Sequence, residues 1–165
     1  SLFKAYKNNV KEIQNDDEIF ELYQRIQQLK PENIAPEFGH LKSLNGDSIS
    51  ISQLKGKNIL LVAWGTWCPY CKEELPHLKR LMTTYSDQFE SVAISLDTDE
   101  RKWKKYILEN NWKGTHLIDS GKKSIFRKNY LISGTNVYYL INKHGKIIAG
   151  NLKPSSDELE ILIKE

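Results

Sequence analysis

Cysteine is almost missing from this chain: its 165 residues contain two, Cys68 and Cys71. A single closely spaced pair cannot build a framework of structural disulfides. Long apolar runs are missing too. None nears the roughly 18 residues of a bilayer span, so no membrane span is expected in this sequence. Charge of one sign is also lacking, with 24 Lys and Arg against 21 Asp and Glu and a net charge of +3. That excess is too small to argue for nucleic acid as a partner. Lys104-Lys105, Lys122-Lys123 and Arg127-Lys128 read instead as solvated helix faces. There is no glycine-rich phosphate loop and no serine-nucleophile signature. The histidines, His40, His77, His116 and His144, have no metal-ligand spacing to the cysteines or to one another. We read all four as surface or turn residues and expect no metal site. Proline is absent between Pro76 and Pro154.

What is present fits one compact domain, at 39% hydrophobic and 27% charged residues. The most informative segment is Trp67-Cys68-Pro69-Tyr70-Cys71. An apolar run over 58–64 precedes it, and a charged, helix-favouring stretch over 72–81 follows. A buried strand thus delivers a dithiol to the first turn of a helix. A helix N-terminus carries unpaired N–H groups and partial positive charge. Both stabilise a thiolate, so Cys68 is expected to ionise readily and attack disulfides at neutral pH. Cys71, one turn on, is placed to resolve a mixed disulfide. Pro69 suits the first helical position, where no N–H is needed.

Thr66-Trp67-Cys68 and Cys71-Lys-Glu-Glu74-Leu-Pro76 together read W-C-x-x-C-x-x-E-x-P. At these residues the chain resembles the thioredoxin superfamily, in particular the extracytoplasmic thiol–disulfide oxidoreductases of the ResA/TlpA type. The segments 35–38, 44–57, 92–97 and 140–147, with Trp103, resemble the same family. The likeness runs over residues 34–165. It implies a thioredoxin-like α/β fold, a mixed sheet with helices on both faces. It also implies protein disulfide or dithiol substrates, no organic cofactor, and a location outside the cytoplasm with recharging by a membrane-bound electron donor. The chain opens at Ser1 rather than Met, so a processed or truncated product is expected, its signal peptide or lipid anchor outside this sequence.

The resemblance assigns roles residue by residue. Glu74 matches the E-x-P glutamate and so tunes the thiols and moves protons to or from Cys71. A half-buried carboxylate can do this; the alternative is a solvated helix glutamate. The buried acid that thioredoxins proper carry six residues before the nucleophile is replaced by Val62. Trp67 and Tyr70 flank the sulfurs and, with Pro69, offer a surface to a partner chain; the alternative is that they only fill the rim. Trp64 reads as core. The main departure lies in Gly134-Thr135-Asn136-Val137. The superfamily places a cis-proline here, opposite the dithiol, in a loop that receives substrate backbone. Asn136 takes that position. We expect Thr135 and Asn136 to line the substrate cleft near the sulfurs, with a cis Thr135–Asn136 bond slightly favoured over trans.

Periodicity and capping signals organise the rest. An N-terminal extension, 1–33, is expected to carry a helix over 16–30, capped at Asn15 or Asp16 and closed by Pro31. It reads either as a helix packed on the main domain or as a remnant of an upstream one, with residues 1–15 mobile. The main domain, 34–165, should begin with a hairpin over 41–51 turning at Asn45-Gly46. Strands follow over 59–64, 89–96 and 115–118, with helices over 69–85, 99–111 and 122–129. Pro76 should kink the first of these. A hairpin over 137–150 and a last helix ending near Lys164, capped by Ser155 or Ser156, complete the order.

The expected activity is thiol–disulfide exchange on proteins, most simply as a reductase. Two alternatives keep the fold: a binding module with weak redox activity, and a metal or cluster site shared by the dithiols of two chains. A peroxidase of the superfamily would carry P-x-x-x-T-x-x-C, where this chain has Leu61 and Gly65.

Overall fold

The structure is a computed structural model that describes residues 16–54 and 56–165. Five helices and seven strands are described. Helix α1 is Asp16–Gln28. Strands β1 (Leu41–Ser43) and β2 (Ser48–Ile49) form the first hairpin, followed by a 3-10 turn at Ile51–Leu54. Then come β3 (Asn58–Trp64), α2 (Pro69–Thr84), β4 (Phe89–Ser95), α3 (Glu100–Glu109), β5 (Thr115–Ile118) and α4 (Ile125–Asn129). Strands β6 (Val137–Ile141) and β7 (Ile147–Gly150) and helix α5 (Asp157–Lys164) close the chain.

The strands form one seven-stranded mixed sheet, in the order β2-β1-β5-β4-β3-β6-β7. Strand β3 pairs parallel with β4 and antiparallel with β6. Its apolar run explains that central place, because alternate residues leave opposite faces of a strand. Leu60, Val62 and Trp64 enter one core with Leu75 and Leu78 of α2, Trp103 and Ile107 of α3, and Leu159 and Ile163 of α5. Ile59, Leu61 and Ala63 enter the other, with Phe126 of α4 and the segment carrying Ala35 and Phe38. Helices therefore cover both faces, and the C-terminal end of β3 is where the chain leaves the sheet to make the dithiol.

Several boundaries differ from expectation for local reasons. Helix α3 starts after Asp99, whose carboxylate caps it by accepting from the N–H groups of Arg101 and Lys102. Helix α4 is shorter than expected. Ser124 caps it and donates to Asp119 at 2.6 Å, which holds 119–124 as a turn. Lys122 and Lys123 therefore lie outside any helix. Arg127 is half-buried against Asp119 at 3.4 Å rather than solvated. Ser156 caps α5.

Helix α1 ends at Gln28, and Leu29 packs on the core that holds Phe38. Glu32 donates its N–H to Ile147 O, Ile147 donates to Asn33 O, and Ile34 bridges Lys146. The junction at 32–34 is thus hydrogen-bonded along the outer edge of β7. The cap at Asn15 and the expected mobility of 1–15 lie outside the described residues.

Candidate active site

Cys68 and Cys71 are joined as a disulfide, with Cα atoms 5.4 Å apart. Cys68 is the N-cap of α2, and its Sγ accepts a 3.1 Å hydrogen bond from the N–H of Cys71. Pro69 fills the first helical position, as its missing N–H permits. A donor at the positive end of the helix therefore already faces the sulfur that reduction would turn into a thiolate. As whole residues Cys68 is 2% and Cys71 8% exposed. Exposure therefore does not single out either cysteine.

The aromatic neighbours behave oppositely to the sulfurs they flank. Trp67 is 59% and Tyr70 66% exposed, beside a sheltered disulfide. Trp67 lies on its own loop: a Cβ at Gly65 would sit 2.8 Å from the indole Cε2 and Nε1. The missing side chain at 65 is what gives the indole its seat. Trp64 is core, as expected, with its ring centroid 4.6 Å from Trp112 and 5.4 Å from Tyr106. The Lys72 ammonium stands 5.7 Å over the Tyr106 ring.

Glu74 is half-buried, and the structure gives it a partner that its helix neighbours did not suggest. Its carboxylate accepts from both the N–H and the hydroxyl of Ser155, at 2.9 and 2.8 Å. It thereby ties the dithiol helix to the loop before α5. Burial first, and then the charge of Glu74, push the Tyr138 phenol well above its usual range.

The Thr135–Asn136 bond corrects the sequence reading, because the described residues contain no cis peptide bond. The bond is trans, and Asn136 adopts a left-handed φ of 65°. Asparagine tolerates that region better than most residues. The Asn136 N–H donates to Ala63 O at 2.8 Å, a bond that proline could not make. Its Oδ1 accepts from the Tyr138 hydroxyl at 2.9 Å. Ala63 pairs with Val137, so Asn136 lies one step beyond that pair, level with the end of the strand that runs on to the dithiol. Thr135 and Asn136 are both half-buried.

One residue of the site received no role from the sequence. Asp97, 4% exposed, follows β4 and accepts from the N–H of Thr66 at 2.9 Å, its hydroxyl at 2.6 Å, and the Ser95 hydroxyl at 2.6 Å. The available signal was an acid directly after an apolar strand, beside the loop that carries the cysteines.

His116 also departs from expectation. It is buried at 3% exposure, with Nε2 2.8 Å from Trp112 O, and burial pushes its pKa down. The other three histidines are exposed. Among the described residues no group of three or more His, Cys, Asp or Glu could hold a metal ion. No described helix is long and apolar enough to cross a membrane.

A mixed sheet whose central strand runs through C-x-x-C into a helix defines a thioredoxin-like protein. Residues 30–162 match the Redoxin family, and the chain belongs to it. It is 33% identical over 115 residues to thiol-disulfide oxidoreductase ResA of Bacillus cereus, covering 69% of this chain and 65% of the relative. To ResA of Bacillus thuringiensis it is 30% identical over 133 residues, covering 79% of this chain and 75% of the relative. The chain thus spans just under two-thirds of the length of the Bacillus cereus relative. Among solved structures, the thioredoxin domain of a thiol-disulfide oxidoreductase from Bacteroides vulgatus superposes with a TM-score of 0.72 at 27% identity. That match covers 82% of this chain and 99% of the other. The family, these relatives and the Cys68–Cys71 disulfide together support a dithiol redox function.

Proposed function

We propose that this protein is a thiol–disulfide oxidoreductase that reduces disulfides in other proteins. The observation that carries the reading is Cys68 Sγ capping α2 and accepting from the Cys71 N–H. In the reduced protein the Cys68 thiolate attacks one sulfur of a substrate disulfide. That S–S bond breaks, a mixed disulfide forms at Cys68, and one substrate thiolate leaves and takes a proton. Cys71, as thiolate, then attacks Cys68 Sγ. The mixed disulfide breaks, Cys68–Cys71 forms, and the second substrate thiolate leaves. The substrate gains two electrons and the protein becomes the disulfide described above. An external dithiol must reduce it again before the next turnover.

In this reading Glu74 handles the proton at Cys71, and Trp67, Pro69, Tyr70, Thr135 and Asn136 receive the substrate chain. The exposed indole and phenol beside a sheltered disulfide support a protein-sized partner, which can bury them on docking. Residues 34–165 are the exchange domain, with 1–33 as its extension. The family resemblance carries the further reading that it works outside the cytoplasm and is recharged by a membrane-bound electron donor.

Insulin reduction driven by dithiothreitol tests the proposal. The protein should accelerate it well beyond dithiothreitol alone, and Cys68→Ser should not. Equal rates with and without protein would refute a protein-disulfide reductase.

A further inference from the structure

The loop from β3 to α2 is held from outside itself. Within it, Cys68 donates its N–H to Gly65 O at 3.0 Å, which makes a tight turn just before the helix. Among the described residues, the side chain that grips that turn is Asp97, from the end of the neighbouring parallel strand β4. Oδ2 accepts the Thr66 N–H and the Ser95 hydroxyl, while Oδ1 accepts the Thr66 hydroxyl. Ser95 Oγ in turn accepts the Asp97 N–H at 3.0 Å, which locks the acid's own rotamer. The backbone adds one parallel tie, from Leu96 N–H to Trp64 O at 2.8 Å.

We infer that Asp97 is a positioning residue for the nucleophile, acting through Thr66. Two bonds from one carboxylate fix both the backbone and the side chain of Thr66, two residues before Cys68. With residue 66 immobile and the 65–68 turn closed, Cys68 has one way to enter the helix cap. Its sulfur then meets the Cys71 N–H. The carboxylate is buried and its acceptor sites are directed, so it cannot serve as a solvated surface charge. Thr66 is the transmitting group because it is the one residue of the turn that Asp97 touches through two atoms. The same hold fixes the residue before Trp67, whose indole rests on Gly65. The inference rests on the exchange reading for its functional meaning, but its geometry can be tested without exchange.

The test compares Thr66→Val with Thr66→Ser in the reduced protein, reading the rate of Cys68 alkylation by iodoacetamide at pH 7. Valine keeps the branched shape and loses the hydroxyl; serine keeps the hydroxyl and loses the methyl. Thr66→Val should slow alkylation at least about threefold, the scale of one hydrogen bond, while Thr66→Ser stays within about twofold of the parent. Equal rates in Thr66→Val and the parent, or equal loss in both variants, overturn the inference. Amide hydrogen exchange on the unmodified reduced protein gives a second reading that does not depend on any variant folding. The Thr66 amide should be protected to the same degree as its sheet neighbours, and exchange at the rate of a free loop amide overturns the clamp. If the alkylation order holds but insulin is not reduced, the clamp stands and the reductase reading fails.

Discussion

The backbone N–H of Asn136 donates a 2.8 Å hydrogen bond to the carbonyl of Ala63, on the strand that carries the dithiol. Asn136 therefore uses its N–H, in a left-handed conformation. Asn136→Pro removes the donor and demands a φ near −65°, opposite in sign to the one adopted. It should destabilise the fold by about 2–4 kcal/mol. Asn136→Gly suits the conformation and should cost under about 1 kcal/mol. Urea unfolding of the two variants checks this, and a stabilising proline would contradict the trans geometry.

Cys68 is expected to be the attacking sulfur although it is the more buried cysteine. Cys71→Ser incubated with an oxidised protein substrate should accumulate a mixed disulfide, mapped to Cys68 by mass spectrometry. Trapping by Cys68→Ser with none by Cys71→Ser would reverse the assignment.

Glu74 has two candidate jobs, and the Ser155 contact separates them. Glu74→Gln removes the carboxylate and keeps one acceptor oxygen; Ser155→Ala keeps the carboxylate and removes one donor. Both should lower stability by about 1 kcal/mol or less, as partly exposed hydrogen bonds do. Only Glu74→Gln should slow exchange. If Ser155→Ala slows it equally, Glu74 serves only to hold the loop before α5.

Gly65→Ala places a methyl where the Trp67 indole lies. The indole is mostly exposed and free to swing away, so stability should change by less than about 1 kcal/mol. If Trp67 receives substrate from its seat on Gly65, KM for a protein substrate should rise with little change in kcat. An unchanged KM would assign Trp67 to the rim alone.

His116 is held neutral by burial, so its folded pKa lies below the ordinary 6.5. The unfolded chain then binds a proton that the folded one resists. Stability from this group is full above about pH 6.5 and falls as pH drops toward the folded value. His116→Gln should therefore lose less stability than the parent between pH 7.5 and pH 5 in urea titrations. Parallel pH dependences would place the acid lability elsewhere.

The sheet was legible because its signals are local and redundant. The run over 58–64 is apolar on both faces, and Ser156 and the C-x-x-C proline mark helix starts that the structure retains. Helix α4 was read too long because the Ser124–Asp119 contact that trims it is not a periodic signal. His116 was misplaced because a lone histidine in a short strand carries no mark of burial; the parallel pairing with β4 buries it. Asp97 went without a role for a similar reason. Its partner Thr66 is 31 residues away in sequence, and only the β3–β4 register brings them together. At Asn136 the trans, left-handed conformation depends on a bond to Ala63 that no local motif encodes.

An equilibrium redox titration of the purified protein against glutathione buffers, with Cys68 and Cys71 counted by thiol alkylation, decides whether the dithiol cycles. Both cysteines should pass together between disulfide and dithiol in one two-electron transition, shifting about 30 mV for each tenfold change in ratio. A pair that stays oxidised throughout, or thiols that titrate separately, would contradict a dithiol that cycles.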